Sequence, residues 1–231
     1  MTPHPQRFLL CLIAILSLVP LLAGCGGLLS GEPKRELYRA TPTLAFPAKL
    51  PHVAKQLVVA LPSAPAGLDS ARIALSRAPV SLDYFADAQW TDRVPFVVQA
   101  ALVEGFEKSA AIAAVGPDSL GVRADYLLET AIRDFQAIYD SPNGPPRIVV
   151  ALNAKLIGMP ERRIVAQNSV SREDTAAANA LPEIVRAFDG ALGHAVQDLV
   201  TWTITNPALS KRHGSVISRT RFVHAAGGAG R

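Results

Sequence analysis

The sequence has little cysteine, and the little it has lies near one end. Only Cys11 and Cys25 are cysteines among the 231 residues. Because none follows Cys25, the rest of the chain can form no internal disulfide bond and offers no thiol nucleophile. A stable domain downstream of Cys25 must therefore be held together by its hydrophobic core alone.

The patterns that carry enzyme chemistry are also missing. The sequence has no Gly-x-Ser-x-Gly, no His-Glu-x-x-His, no Gly-rich phosphate loop with lysine and no Cys-x-x-Cys. His194 and Asp198 are four residues apart on a predicted helix, but a zinc site needs three or four ligands. His52, His213 and His224 lie in segments without regular structure, where no rigid acid–base geometry is expected. The sequence thus predicts a non-enzyme without cofactor or metal.

Long apolar runs are scarce, and the one that stands out is Phe8–Leu22. At about 15 residues it is short for a membrane span and has the length of a signal-peptide core. It ends in Leu22-Ala23-Gly24-Cys25, which resembles a bacterial lipobox. The resemblance implies that residues 1–24 form a signal peptide and that Cys25 becomes the lipidated first residue. The alternatives are an uncleaved anchor, or an ordinary signal peptide followed by a chance cysteine.

Charge is only mildly unbalanced, with a formal net charge of +4, which gives no reason to predict a nucleic-acid partner. The excess is concentrated in residues 206–231, which carry no acid and are predicted to be a disordered basic tail. This tail has three interpretations: a solvated end, a contact with anionic lipid or cell wall, or a segment that binds a partner.

Between the signal peptide and the tail, the sequence predicts a tether and then a folded body. Glycine and proline interrupt residues 25–55, which favours a lipidated N-terminus with an irregular tether. Residues 56–205 predict a single α/β domain. Its predicted strands are Gln56–Leu61, Ala71–Leu75, Val80–Phe85, Ala111–Val115, Arg147–Ile157 and Arg162–Val170, the last two forming a hairpin, and its predicted helices are Val94–Lys108 and Pro182–Thr203. Thr91 and Asp92 are candidate N-caps of the first helix.

Residues 125–139 do not fit one period. Their apolar side chains match helical spacing better than strict alternation, so periodicity alone favours a helix.

Three aromatic residues, Tyr84, Phe85 and Trp90, lie close to the start of the first helix. Core packing is one interpretation of this group, and a surface for a protein partner is the other. Trp202, near the end of the last helix, either closes the core or stays exposed.

Several segments together resemble the ABC-type transport auxiliary lipoprotein family, whose genes lie beside those of transporters with a mammalian-cell-entry (MCE) domain. The resemblance rests on the lipobox at residues 22–25, on QLVVALP at 56–62 and on residues 72–109, above all LDYFADAQWTDRVP at 82–95. It implies an α/β (α+β) fold of one domain, with an antiparallel-rich sheet and two main helices packed on it. Within that fold 125–139 would be a long strand with a bulge near residues 133–135, and we adopt this assignment.

The resemblance also implies a function. Such proteins are non-catalytic partners of an MCE-domain protein and an ABC permease and ATPase that handle lipids or other hydrophobic substrates. They are attached to the membrane by the lipid on the cysteine and could form homo-oligomers. Gly26, rather than aspartate, follows Cys25, which favours the outer membrane over the inner. The main alternative is a structural envelope lipoprotein that binds peptidoglycan or anionic lipid through its basic tail, and a third is a hydrolase with an unrecognised site.

Overall fold

The fold is arranged around one long strand near the middle of the sequence. A computed structural model describes residues 35–78 and 80–210, and the chain from Leu37 onward forms one compact unit. The strands in this part of the chain are β1 (Glu36–Tyr38), β2 (Val53–Val59), β3 (Arg72–Ser76), β4 (Asp83–Trp90), β5 (Ile112–Pro117), β6 (Tyr126–Ile138), β7 (Arg147–Gly158) and β8 (Arg163–Thr175). The helices are α1 (Val94–Ser109), α2 (Leu181–Thr205) and the short α3 (Pro207–Ser210), with a 3-10 turn at Asp118–Leu120.

Strand β6 is the centre of an eight-stranded mixed sheet. One of its edges pairs antiparallel with β7 over nearly its whole length. Its other edge is shared, because β2 pairs parallel with the beginning of β6 at residues 126–128 and β3 pairs parallel with its end at residues 137–138. Strand β5 extends the sheet from β2, and β4 and then β1 extend it from β3.

The strand assignment of residues 125–139 is therefore confirmed, and the helix favoured by periodicity is wrong. The register of β6 against β7 shifts between Ile132 and Asp134, which is the predicted position of the bulge. Strands β7 and β8 form the predicted hairpin, and β8 continues to Thr175, five residues beyond the predicted end at Val170.

Both long helices pack on one face of the sheet. Along β7 every second side chain is buried against them, and the same face of β6 contributes Leu128, Ile132 and Phe135. The helices also meet each other where Gly105 of α1 approaches Val196 and Val200 of α2. The expected α+β architecture, with two main helices on an antiparallel-rich sheet, is confirmed.

Helix α1 begins at Val94, as predicted, but neither Thr91 nor Asp92 is its N-cap. Its N-cap is Arg93, without a side-chain capping bond, and Pro95 occupies the first turn. Thr91 and Asp92 are used otherwise: the Thr91 amide donates to the carbonyl oxygen of Tyr38 at 2.8 Å, and the Asp92 carboxylate accepts from the Arg93 amide at 2.7 Å.

The boundaries of tether and tail also differ from the expected ones. Residues 35–55 include β1 and lie on the body, where Leu44, Phe46 and Leu50 pack against the core. The body likewise continues past residue 205 into α3, whose Leu209 is buried. The Tyr126 hydroxyl donates to the carbonyl oxygen of Ala208 at 2.6 Å and fixes this short helix to the start of β6. The proline content of the segment between β1 and β2 correctly predicted that it lacks long helices and strands. It did not show that an irregular segment can still pack against the body.

Candidate functional site

The aromatic group beside α1 is divided between the core and the surface. Trp90 is only 1% exposed and stands edge-on to Phe135 and Phe188, with ring centroids 5.8 and 5.1 Å apart. The Phe135 and Phe188 rings are stacked on each other at 5.1 Å. Trp90 is thus a central core residue, and no partner can reach it in this fold.

Tyr84 and Phe85 are half-buried at the edge of the core. The Tyr84 hydroxyl donates to the carbonyl oxygen of Gly67 at 2.9 Å, and the Arg72 guanidinium lies 3.6 Å from the centroid of its ring. The hydrogen bond attaches Tyr84 to the 62–70 loop, and the Arg72 contact attaches it to the start of β3. The most exposed apolar side chains nearby are instead Val80 and Leu82, at 99% and 43%.

The structure shows no metal-binding cluster within residues 35–78 and 80–210. No group of three histidine, cysteine, aspartate or glutamate side chains there could hold a metal ion. His194 is exposed, and Asp198 forms an ion pair with Arg172 of β8 rather than acting together with His194. The two residues that the sequence placed four apart on one helix are therefore not joined in a site: His194 lies in solvent, and Asp198 pairs with β8.

The lipidation site predicted at Cys25, the peptidase recognition residues Leu22, Ala23 and Gly24, and the tail from residue 211 onward lie outside the described residues. No helix within the described ranges has the length and apolar character needed to cross a membrane.

The first irregular segment of the body, residues 39–47, crosses over α2, and we call it the strap. The Thr41 amide donates to Oδ1 of Asp189 at 2.7 Å, and the Thr41 hydroxyl donates to Oδ2 at 3.3 Å. About two turns further along the helix, the Gln197 side-chain amide donates to the Thr43 carbonyl oxygen at 3.2 Å. Two polar residues of α2 thereby hold the strap from either side of one glycine, Gly193.

Gly193 allows the close approach of the strap. A Cβ atom there would lie 3.0 Å from the carbonyl oxygen of Thr43 and 3.5 Å from the Pro42 side chain. The contact also covers the Asp189 carboxyl. Burial raises the pKa of Asp189 above its usual range, and the two hydrogen bonds from Thr41 lower it only in part.

A groove opens where the strap, α2 and β8 meet, and we call it the β8 groove. Its volume is about 750 Å³. Phe46, Val170 and Trp202 supply its apolar surface, and Asn168, Gln197 and Thr201 supply hydrogen-bonding groups. The Arg172–Asp198 ion pair also lines it, so the two charges in the groove compensate each other.

Sequence reasoning missed this groove, although it singled out Trp202. The side chain is neither fully buried nor free, because it packs against the core at one side and lines the groove at the other. The feature that marks the groove is Trp202, on the last turns of α2, beside the uncharged middle of β8. That combination becomes visible only when the strand and the helix are placed together.

Comparisons with known proteins agree with the architecture. The model of a family described as ABC-type transport auxiliary lipoprotein component matches residues 37–226. A crystal structure of a protein from Xanthomonas campestris matches with a TM-score of 0.71 and 29% sequence identity, covering 76% of this chain and 98% of that one. A second crystal structure, with 14% identity and a TM-score of 0.57, covers 72% of this chain and 97% of its own and shares the fold.

An uncharacterized protein of Bradyrhizobium diazoefficiens is 32% identical over 180 residues. The aligned region is 75% of this chain but only 46% of that protein, so the chain spans about half the length of this relative. The shared unit is therefore found within proteins of different length.

Proposed function

Because the chain belongs to the family of ABC-type transport auxiliary lipoprotein components, we propose that it serves an MCE-linked ABC system that moves lipids or other hydrophobic substrates across the cell envelope. In this role it is not an enzyme. It is a body held at a membrane by the lipid on Cys25 and in contact with the MCE-domain protein, the permease or the ATPase. Gly26 after the cysteine supports delivery to the outer membrane.

The observation that carries this proposal is the attachment of the strap to α2. The segment that leads from the proposed anchor into the body is held by hydrogen bonds from Thr41 to Asp189 and from Gln197 to Thr43. Only the residues between Cys25 and Arg35 can then act as a tether. The ten Cα–Cα steps from Cys25 to Arg35 span at most about 35 Å when fully extended, so the body is held near the bilayer surface. Such a short, firmly attached connection suits a component that presents its body to a membrane-bound assembly.

The test compares the two cysteines. We expect Cys25→Ala to release the protein into the soluble periplasmic fraction and to abolish complementation of the envelope-permeability defect of a deletion strain. The matched control is Cys11→Ala, which changes the only other cysteine, lies within the predicted signal peptide and should leave both readouts unchanged. Full complementation by the soluble Cys25→Ala protein would exclude the anchoring role.

The partner is tested by purifying the tagged, lipidated protein from native membranes in mild detergent and identifying co-purifying proteins by mass spectrometry. We expect an MCE-domain protein, a permease or an ATPase. The structural-lipoprotein alternative is favoured by the run of basic residues without acids after residue 210. It predicts that deletion of residues 211–231, which spares the buried Leu209, abolishes function and that peptidoglycan or anionic lipid co-purifies.

A further inference from the structure

The outer edge of β8 is long and has no strand partner in the part of the chain that the structure describes, although the Ser169 amide donates to Oδ1 of Asn168 at 2.9 Å and the register against β7 shifts between Leu156 and Ile157. Among the described residues β8 pairs with β7 only, which leaves one edge of a 13-residue strand without a strand partner. The other outer strands are short: β1 has three residues and β5 has six, ending at Pro117. Proteins usually shield a free edge by shortness, proline or charge, because its backbone groups otherwise recruit another strand.

None of these protections covers the middle of β8. From Ile164 to Ser171 the strand carries no charged residue and no proline, and Ile164 is 52% exposed. Its charged residues stand at its two ends. One of these, Arg172, already has Asp198 as its ion partner, and another, Glu173, pairs with Arg147 at 3.0 Å. Between Ile164 and Ser171 an uncharged strand would therefore lie along this edge without meeting a charged side chain of β8.

The β8 groove lies directly beside this edge. Asn168, Val170 and Arg172, three alternate residues of β8, line it together with the helix side chains Thr201 and Trp202. A strand added to the edge would project every second side chain toward the same side of the sheet, because side chains alternate along a strand. Backbone pairing and the groove would then act together, as in other cases where an extended peptide extends a sheet.

We propose that the outer edge of β8 binds an extended, uncharged strand of a partner protein, with a large apolar side chain of that strand filling the groove beside Trp202. A second copy of this chain that paired its own β8 with this edge would occupy the groove poorly. The side chains that β8 itself directs to this side between its charged ends are Ala166, Asn168 and Val170, which are small or polar. The inference goes beyond the anchoring role and does not depend on the lipid at Cys25.

The test uses the full-length lipidated protein in detergent micelles and a defined peptide. The peptide has nine residues and capped ends, with threonine alternating with valine and phenylalanine at the centre. The readout is hydrogen exchange of the individual amides from 163 to 175. We expect at least tenfold slower exchange at every second amide, because only alternate N–H groups point to the outer edge. The fluorescence of Trp202 should shift to shorter wavelength, whereas Trp90 is already buried.

Two controls distinguish strand addition from non-specific peptide binding. A peptide of the same sequence with its alternate amides methylated cannot form the ladder and should neither slow exchange nor shift the fluorescence. Trp202→Ala should weaken peptide binding at least tenfold, while Phe96→Ala, which removes an exposed aromatic side chain outside the β8 groove, should not. The methylated peptide needs no variant, so the test stands even where Trp202→Ala folds poorly.

Four results would overturn the proposal. One is the absence of protection by the peptide, and another is equal protection by its methylated form. A third is protection of the β8 amides that rises with protein concentration alone, which assigns the edge to a second copy. The fourth is protection in the full chain that disappears in a chain ending at Ser210, which assigns it to the chain's own C-terminal segment. The Cys25→Ala protein should bind the peptide normally, so failure of the anchoring role and failure of this inference give different results.

Discussion

The two faces of the sheet differ most clearly along the single strand β7. Toward the helices it presents five side chains that are at most 1% exposed, namely Ile148, Val150, Leu152, Ala154 and Leu156. Toward the other face its central residues are Ala151, Asn153 and Lys155, which are half-buried or exposed. No helix in the described ranges covers this second face. The comparison teaches that β7 contributes most of its burial through its helix-facing residues, while on the other face Val149 and Ile157 are buried nearer its ends and only the centre is small or polar.

The difference between the two faces of β7 is tested most directly by substituting two adjacent residues and measuring stability. Leu152→Ala should lower the free energy of unfolding by about 2–5 kcal/mol, since it removes a fully buried side chain and leaves a cavity. Asn153→Ala, one position along on the other face, should change it by about 0.5 kcal/mol or less. Urea unfolding followed by circular dichroism measures both. Equal losses at the two positions would contradict the assignment of the faces.

The close packing on the helix-covered face is tested where α1 crosses α2. Gly105→Ala would place a Cβ atom 2.7 Å from Cγ1 of Val196 and 3.1 Å from Cγ2 of Val200. We expect a loss of about 1–3 kcal/mol from overpacking, against a gain of about 1 kcal/mol in helix propensity. Combining it with Val196→Ala should cost less than the sum of the two single changes. Strict additivity in thermal unfolding would argue against the close crossing.

A smaller effect concerns the charge under the strap. Since burial raises the pKa of Asp189, the folded state holds this proton more tightly than the unfolded state does. The stabilising contribution is thus complete below the unfolded pKa of about 4 and is lost as the pH rises through the folded value. Asp189→Asn, which can still accept the Thr41 hydrogen bond, should gain stability relative to the parent between pH 4 and pH 7. A difference that is flat with pH in parallel urea titrations would show that burial does not shift this group.

The smallest effect belongs to the uncovered face. Glu129 and Arg162 form an ion pair at 3.6 Å in which both side chains are largely solvated. Glu129→Gln should change the free energy of unfolding by about 0.5 kcal/mol or less, and 0.5 M sodium chloride should remove what difference there is. A loss above 1 kcal/mol would mean that this face is more enclosed than its exposure indicates.

The sequence correctly predicted the helices and strands whose apolar pattern arises from burying one face on the core. The hairpin of β7 and β8 and the two long helices each have one face on the core, so alternation or helical spacing located them. Residues 125–139 misled periodicity because the bulge after Ile132 changes the buried phase. Leu128 and Ile132 are buried before it and Phe135 after it, which reproduces the i, i+4, i+7 spacing of a helix. The resemblance to a family was needed to choose the strand.

The surfaces were harder to predict than the elements. Trp90 was considered for a partner surface because it follows Tyr84 and Phe85, but its indole meets Phe188, which comes 98 residues later in the chain. Similarly, proline predicted the irregular backbone between β1 and β2, whereas the position of the strap on the body depends on Asp189 and Gly193. Contacts between residues so far apart leave no local signal in the sequence.

The strap also fixes an order of events during biosynthesis. Thr41 is separated from its partner Asp189 by 148 positions, so the ribosome must make nearly all of the body before that contact can form. A chain that emerges N-terminus first therefore leaves the strap without its contacts on the body until α2 has emerged. The strap is among the first described residues to be synthesised and among the last to reach their final place.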